Sequence, residues 1–68
     1  MQIREIFAFN LKKYRRQRGV SQEELAHLAD IDRTYVSALE RQVYSASLDV
    51  IASIAKALEV EPYMLLKK

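Results

Sequence analysis

The chain has 68 residues, half of them hydrophobic, with no cysteine, a single His, one Gly, one Pro and a net charge of +2. That length suits one domain, residues 1–68, burying only about 60% of its unfolded surface. Disulfides and thiolate metal sites are excluded, one His builds no zinc site alone, and oligomerisation is the staple that remains.

With Gly and Pro so scarce, an all-α fold is expected, and the elements follow in order. Ile3, Phe7, Leu11 and Tyr14, with Ile6 alongside, recur at helical spacing and predict a first helix over residues 2–18 with a buried stripe. Phe9 falls opposite that stripe. Gly19 stands where a left-handed residue stops a helix, and Val20 turns the chain inward. Ser21 with Glu24 reads as a capping box opening a second helix that runs to about Ala29. Asp32 is the next N-cap, and a third helix ends near Arg41. Only Asp30 and Ile31 separate the second helix from the third cap, so the two helices must meet steeply. Leu25, Ala26, Ala29, Ile31, Val36 and Leu39 converge in the angle between them, which leaves Arg33, Thr34, Ser37 and Arg41 on the outer face.

Ser47 caps a fourth helix, about Leu48 to Glu59, whose inner face is Leu48, Ile51, Ile54, Ala55 and Leu58; Asp49 in its first turn favours the helix dipole. Pro62 suits the start of a short fifth helix. Tyr63, Met64, Leu65 and Leu66 exceed what one turn and a half buries in a monomer, and they are the expected homodimer contact. No repeat, linker or low-complexity tract interrupts the chain. Nor is there a secretory signal or an apolar run long enough to span a bilayer, so a cytoplasmic protein without membrane contact is expected.

The spaced set from Gln22 to Arg41 resembles the helix-turn-helix of Cro/repressor-type (XRE family) DNA-binding domains, and the resemblance covers nearly the whole chain. Asp32-Arg33-Thr34-Tyr35-Val36-Ser37 followed by Leu39-Glu40-Arg41 is similar to the small controller proteins of restriction–modification systems. The resemblance implies a five-helix, lambda-repressor-like domain acting as a repressor or activator of transcription. It implies a first-helix arginine, Arg15, paired with a glutamate closing the third helix, Glu40. It also implies that Gln22 holds a phosphate at the start of the second helix. Three departures are visible: Asp30 and Gln42 stand where the family commonly has Gly, and Val43-Tyr44-Ser45-Ala46 lacks the basic residues often found in that loop.

A polar, donor-rich helix on an apolar hinge suits the major groove of double-stranded DNA. Base reading is assigned to Arg33, Thr34 and Ser37, with Ala38 in apolar contact. Phosphate contact is assigned to Gln22, Arg18, Tyr35, Arg41 and Tyr44, with the Ser45 hydroxyl a further candidate. Residues 1–18 hold six basic side chains (Arg4, Lys12, Lys13, Arg15, Arg16, Arg18) against one acid, Glu5. One such helix reads only a few base pairs, so a two-fold dimer on a palindromic operator is expected. No enzyme is expected: there is no nucleophile–base pair and no glycine-rich phosphate loop, and His27 among Glu23, Glu24 and Asp30 reads as an inert surface residue. No cofactor, metal or small-molecule ligand is indicated. The rival reading is a protein-interaction or antitoxin-like module using the same scaffold.

Overall fold

The computed structural model describes residues 2–68 and contains four α-helices: α1 (Ile3–Arg18), α2 (Gln22–Ala29), α3 (Arg33–Glu40) and α4 (Leu48–Leu58). The expected fifth helix is instead a single 3-10 turn, Pro62–Leu65. Pro62 sets the entry, and the turn spans only four residues before Leu66 leaves the helical conformation. No strand occurs among the described residues. Nor is any helix among them long and apolar enough to cross a membrane.

Each start is chemically specified. Ser21 accepts from the Glu24 N–H at 3.0 Å while the Glu24 carboxylate reaches back to the Ser21 N–H, and Ser47 accepts from the Val50 N–H at 3.1 Å. The stops share one device. After each α-helix comes a left-handed residue: Gly19 (φ 70°), Asp30 (58°), Gln42 (65°) and Glu59 (59°). The next N–H then bonds the carbonyl five residues back: Val20 to Arg15, Ile31 to Ala26, Val43 to Ala38 and Val60 to Ala55. This is the Schellman closure, with an apolar residue following each left-handed one. Val20, Ile31 and Val60 pack on the core. Only one of the four positions is glycine, so the other three bear the left-handed strain of an L side chain.

The core joins Phe7 and Leu11 of α1, Leu25, Ala26 and Ala29 of α2, Val36 and Leu39 of α3, and Ile51, Ile54, Ala55 and Leu58 of α4, with Leu65 beneath the last turn. Two expected core residues lie outside it. Ile3 (58% exposed) sits in the first turn at the rim of a hollow it lines with Phe7, Ile51 and Leu66, and Leu48 (81% exposed) opens α4 ahead of Val50 and Ile51, the first of its residues to pack on the core. A further core position is polar. Asn10 is buried and donates from Nδ2 to the Leu65 carbonyl (3.0 Å) and the Lys67 carbonyl (2.8 Å), which ties the C-terminal turn onto α1.

Candidate nucleic-acid interface

Both α1 and α2 pack against α3. The buried arc of α3 is therefore wide, taking in Val36, Ala38, Leu39 and Glu40. Arg33 and Thr34 are exposed and Ser37 is half-buried, so these three hold the outer edge. Ala38 is a correction to the expected base contacts. It is 4% exposed, because α3 is packed from two sides, and its methyl has no surface to offer a base.

Gln22 and Arg33 line one open depression with Arg15, Ser21 and Glu23, where the start of α2 faces the start of α3. Beneath it lies a buried polar knot. Arg15 Nε donates to Glu40 Oε2 at 2.7 Å and Arg15 Nη2 to Oε1 at 3.2 Å. Gln22 Nε2 donates to the same Oε1 at 3.0 Å, and Arg15 Nη1 to the Val20 carbonyl at 3.0 Å. The side chains of Arg15 and Glu40 are 13% and 5% exposed. One carboxylate thus fixes the last residue of α3, the first of α2 and the body of α1. Ser21 caps the Glu24 N–H, which leaves the N–H groups of Gln22 and Glu23 without an intrahelical partner, and both residues line this depression.

At the start of α3, Asp32 Oδ1 accepts from the Thr34 N–H at 2.8 Å and from the Thr34 hydroxyl at 2.7 Å. These two bonds, the hydroxyl's first, and the neighbouring Arg33 charge hold the Asp32 carboxyl below its usual range.

A second cluster joins Tyr35, in the first turn of α3, to the loop that follows the helix. The Tyr35 hydroxyl donates to the Ser45 carbonyl (3.3 Å), and the Tyr35 and Tyr44 rings meet edge to face at 6.2 Å. Arg4 Nε donates to Ser45 Oγ at 2.8 Å. Arg41 and Tyr44 are exposed. Arg4 lies 41 residues from Ser45 in sequence, so no local pattern could have paired them.

Two expected site residues, Arg18 and Leu65, are engaged elsewhere. Arg18 donates to Glu59 Oε2 at 2.7 Å and lines a hollow with Leu28, Asp30 and Lys56, so its guanidinium is committed to an anion away from Gln22 and Arg33. Leu65 is fully buried, and Leu66 is half-buried against the core. Of the expected dimer residues only Tyr63 is well exposed, at 65%, with Met64 half-buried. Four apolar residues in one turn do not all point outward, because Asn10 draws the turn down onto α1.

Residues 11–65 match the family model described as helix-turn-helix, HTH_3. The chain belongs to that family. Its members are non-enzymatic DNA-binding regulators of transcription, and the helix-turn-helix here is α2, the Asp30–Ile31 corner and α3. Control protein C.SmaI of Serratia marcescens is 37% identical over 68 residues, covering 100% of this chain and 81% of the relative. Control protein C.BamHI of Bacillus amyloliquefaciens is 43% identical over 65 residues, 94% of this chain and 80% of the relative. A hypothetical transcription factor of Neisseria meningitidis serogroup B is 45% identical over 64 residues; that match takes in 94% of this chain but 60% of the relative. Among solved structures, the Neisseria factor superposes with a TM-score of 0.94 at 44% identity, over 97% of this chain and 76% of the other. The restriction–modification controller protein C.AhdI of Aeromonas hydrophila superposes with a TM-score of 0.88 at 40% identity, over 91% and 94%.

Proposed function

We propose that this chain is a sequence-specific regulator of transcription that binds a palindromic operator as a homodimer in the cytoplasm, in the manner of a restriction–modification controller. The observation that carries the reading is the shared depression of Gln22 and Arg33, with the helix bearing Arg33 locked to α1 and α2 through Glu40. Gln22 and the start of α2 hold one phosphate. Arg33 takes guanine O6 and N7, and Thr34 and Ser37 read neighbouring edges. Tyr35, Arg41 and Tyr44 hold phosphate on the side of the loop that follows α3. There Arg4 supplies, from α1, the positive charge missing from the loop 43–46.

Dimerisation rests on residual apolar surface. Tyr63 and Leu48 are exposed, and Leu66 lines a hollow with Ile51, one helical turn from Leu48. Tyr63, Met64, Leu66 and Leu48 are therefore the contact we assign across a two-fold axis, presenting two α3 helices about 34 Å apart.

Duplex binding measured against salt tests the reading. Affinity is expected to fall linearly on a log–log plot as counterions are released. Arg33→Ala is expected to lose about 1–3 kcal/mol on the preferred sequence and to relax one base pair per half-site, while Gln22→Ala weakens every sequence alike. Binding indifferent to salt and to both replacements would instead identify a module for an apolar protein partner.

A further inference from the structure

The bonds between Thr34 and Asp32 constrain what Thr34 is able to say to a base. A threonine hydroxyl has one hydrogen and two lone pairs. Here that hydrogen is donated to Asp32 Oδ1, with the two oxygens 2.7 Å apart, in a bond strengthened by the carboxylate charge. The Thr34 N–H shares the same oxygen at 2.8 Å, so Oδ2 takes part in neither bond. Both residues are exposed at the start of α3, beside Arg33.

We infer that Asp32 is a specificity-positioning residue: it fixes the Thr34 hydroxyl as an acceptor, so the pair selects a base that presents an amino group in the major groove. The inference rests on the reading of α3 as the base-reading helix. Guanine offers only O6 and N7 there, and thymine offers O4 with its methyl; each oxygen or nitrogen needs a donor, which Thr34 no longer has. Cytosine N4 and adenine N6 are donors and meet the Thr34 lone pairs, with Asp32 Oδ2 as a second acceptor. The low carboxyl pKa keeps Asp32 anionic at neutral pH, so the arrangement is the standing one. It also divides labour within three residues, since Arg33 brings only donors and its neighbours only acceptors.

Selection from randomised duplexes, run in parallel on the unaltered protein, Asp32→Ala, Asp32→Asn and Thr34→Val, tests this. The unaltered protein is expected to favour adenine or cytosine about tenfold at one position of each half-site. Asp32→Ala frees the hydroxyl hydrogen and should flatten that position to about twofold or less while other positions keep their preferences. Asp32→Asn, whose amide oxygen accepts more weakly, should fall between. Thr34→Val keeps the N–H cap and should lose the same position, so it carries the test if Asp32→Ala does not fold. The inference is overturned if Asp32→Ala weakens all sequences alike with the preferences intact, which is the signature of a helix cap alone. It is equally overturned if removing the exocyclic amino group at that base pair, with purine in place of adenine or pyrimidin-2-one in place of cytosine, leaves the affinity of the unaltered protein unchanged. Failure of the underlying reading looks different: the unaltered protein itself would enrich no sequence, and the inference would fall with it.

Discussion

Replacing Glu40 by Gln tests whether the knot beneath the proposed interface holds the reading helix in place. The carboxylate accepts three hydrogen bonds of 2.7–3.2 Å and is almost sealed from solvent. In the variant one oxygen becomes an NH2 group facing Arg15 or Gln22 donors, and the guanidinium loses its counter-charge and one of its two bonds to residue 40, keeping the amide oxygen and the Val20 carbonyl. Breaking a buried pair in this way costs about 3–5 kcal/mol, because a charge is left without its partner. The Arg15 side chain retains 13% exposure, which places the effect near 3 kcal/mol, at the lower end of that range. A domain of this size melts about 4–8 °C lower per kcal/mol, so a fall of about 12–24 °C is expected. Removing both partners should behave differently. Arg15→Met with Glu40→Leu replaces the pair by apolar volume and should return to within about 1 kcal/mol of the parent in urea unfolding. Gln22 is then untethered, and duplex affinity should drop uniformly across sequences although the fold is restored. A loss below about 1 kcal/mol for Glu40→Gln would refute the reasoning, since the pair would then be behaving as a screened surface contact.

Three further outcomes follow from the same geometry. Gln42→Gly should stabilise the domain by about 0.5–1 kcal/mol in thermal melts by relieving left-handed strain, whereas Gly19→Ala should destabilise it by about 1 kcal/mol. A Cβ at Gly19 meets no atom within 4 Å, so a larger loss would show that something other than backbone conformation is at work. Asn10→Leu removes both bonds to the C-terminal turn and should cost about 2 kcal/mol, with faster amide exchange confined to residues 62–66 if the account is right. The Asp32 cap has a depressed folded pKa, so its stabilisation is present above the ordinary carboxylate pKa of about 4 and is lost as pH falls through the lower folded value. Melts of the parent and Asp32→Asn should therefore differ at pH 7 and converge in acid.

The helix starts and the hinge were legible because they depend on local chemistry. Ser21 with Glu24, Asp32 and Ser47 each specify a cap within three residues, and Leu25, Val36 and Leu39 announce their burial through spacing alone. The pattern failed where burial depends on how many neighbours a helix has. A single-stripe reading leaves Ala38 outside, but α3 is packed by two helices and Ala38 lies within. It failed again at Leu65 and Ile3, where what matters is how the chain ends are drawn onto α1. Asn10 carries a signal of a different kind: a polar residue on the apolar period of a helix, beside Phe7 and Leu11, marks a buried hydrogen-bonding post. Arg18 and Arg4 carried none, since their partners lie 41 residues away.

An eight-residue helix such as α3 has little stability of its own, since isolated helices shorter than about 12–15 residues are marginal in water. Yet a helix that reads bases must arrive rigid, or the ordering of its side chains is subtracted from binding. Anchors at both ends resolve this conflict. Asp32 fixes the first turn and removes rotamer freedom from Thr34, while Glu40 binds the last residue to both α1 and α2. Between them Val36 and Leu39 fill the core, and what remains for solvent is the edge bearing Arg33 and Ser37. The same carboxylate that stiffens α3 also orients Gln22. In the proposed complex the phosphate contact and the base contacts would therefore move as one body, and loosening either end of α3 should degrade register before it unfolds the domain.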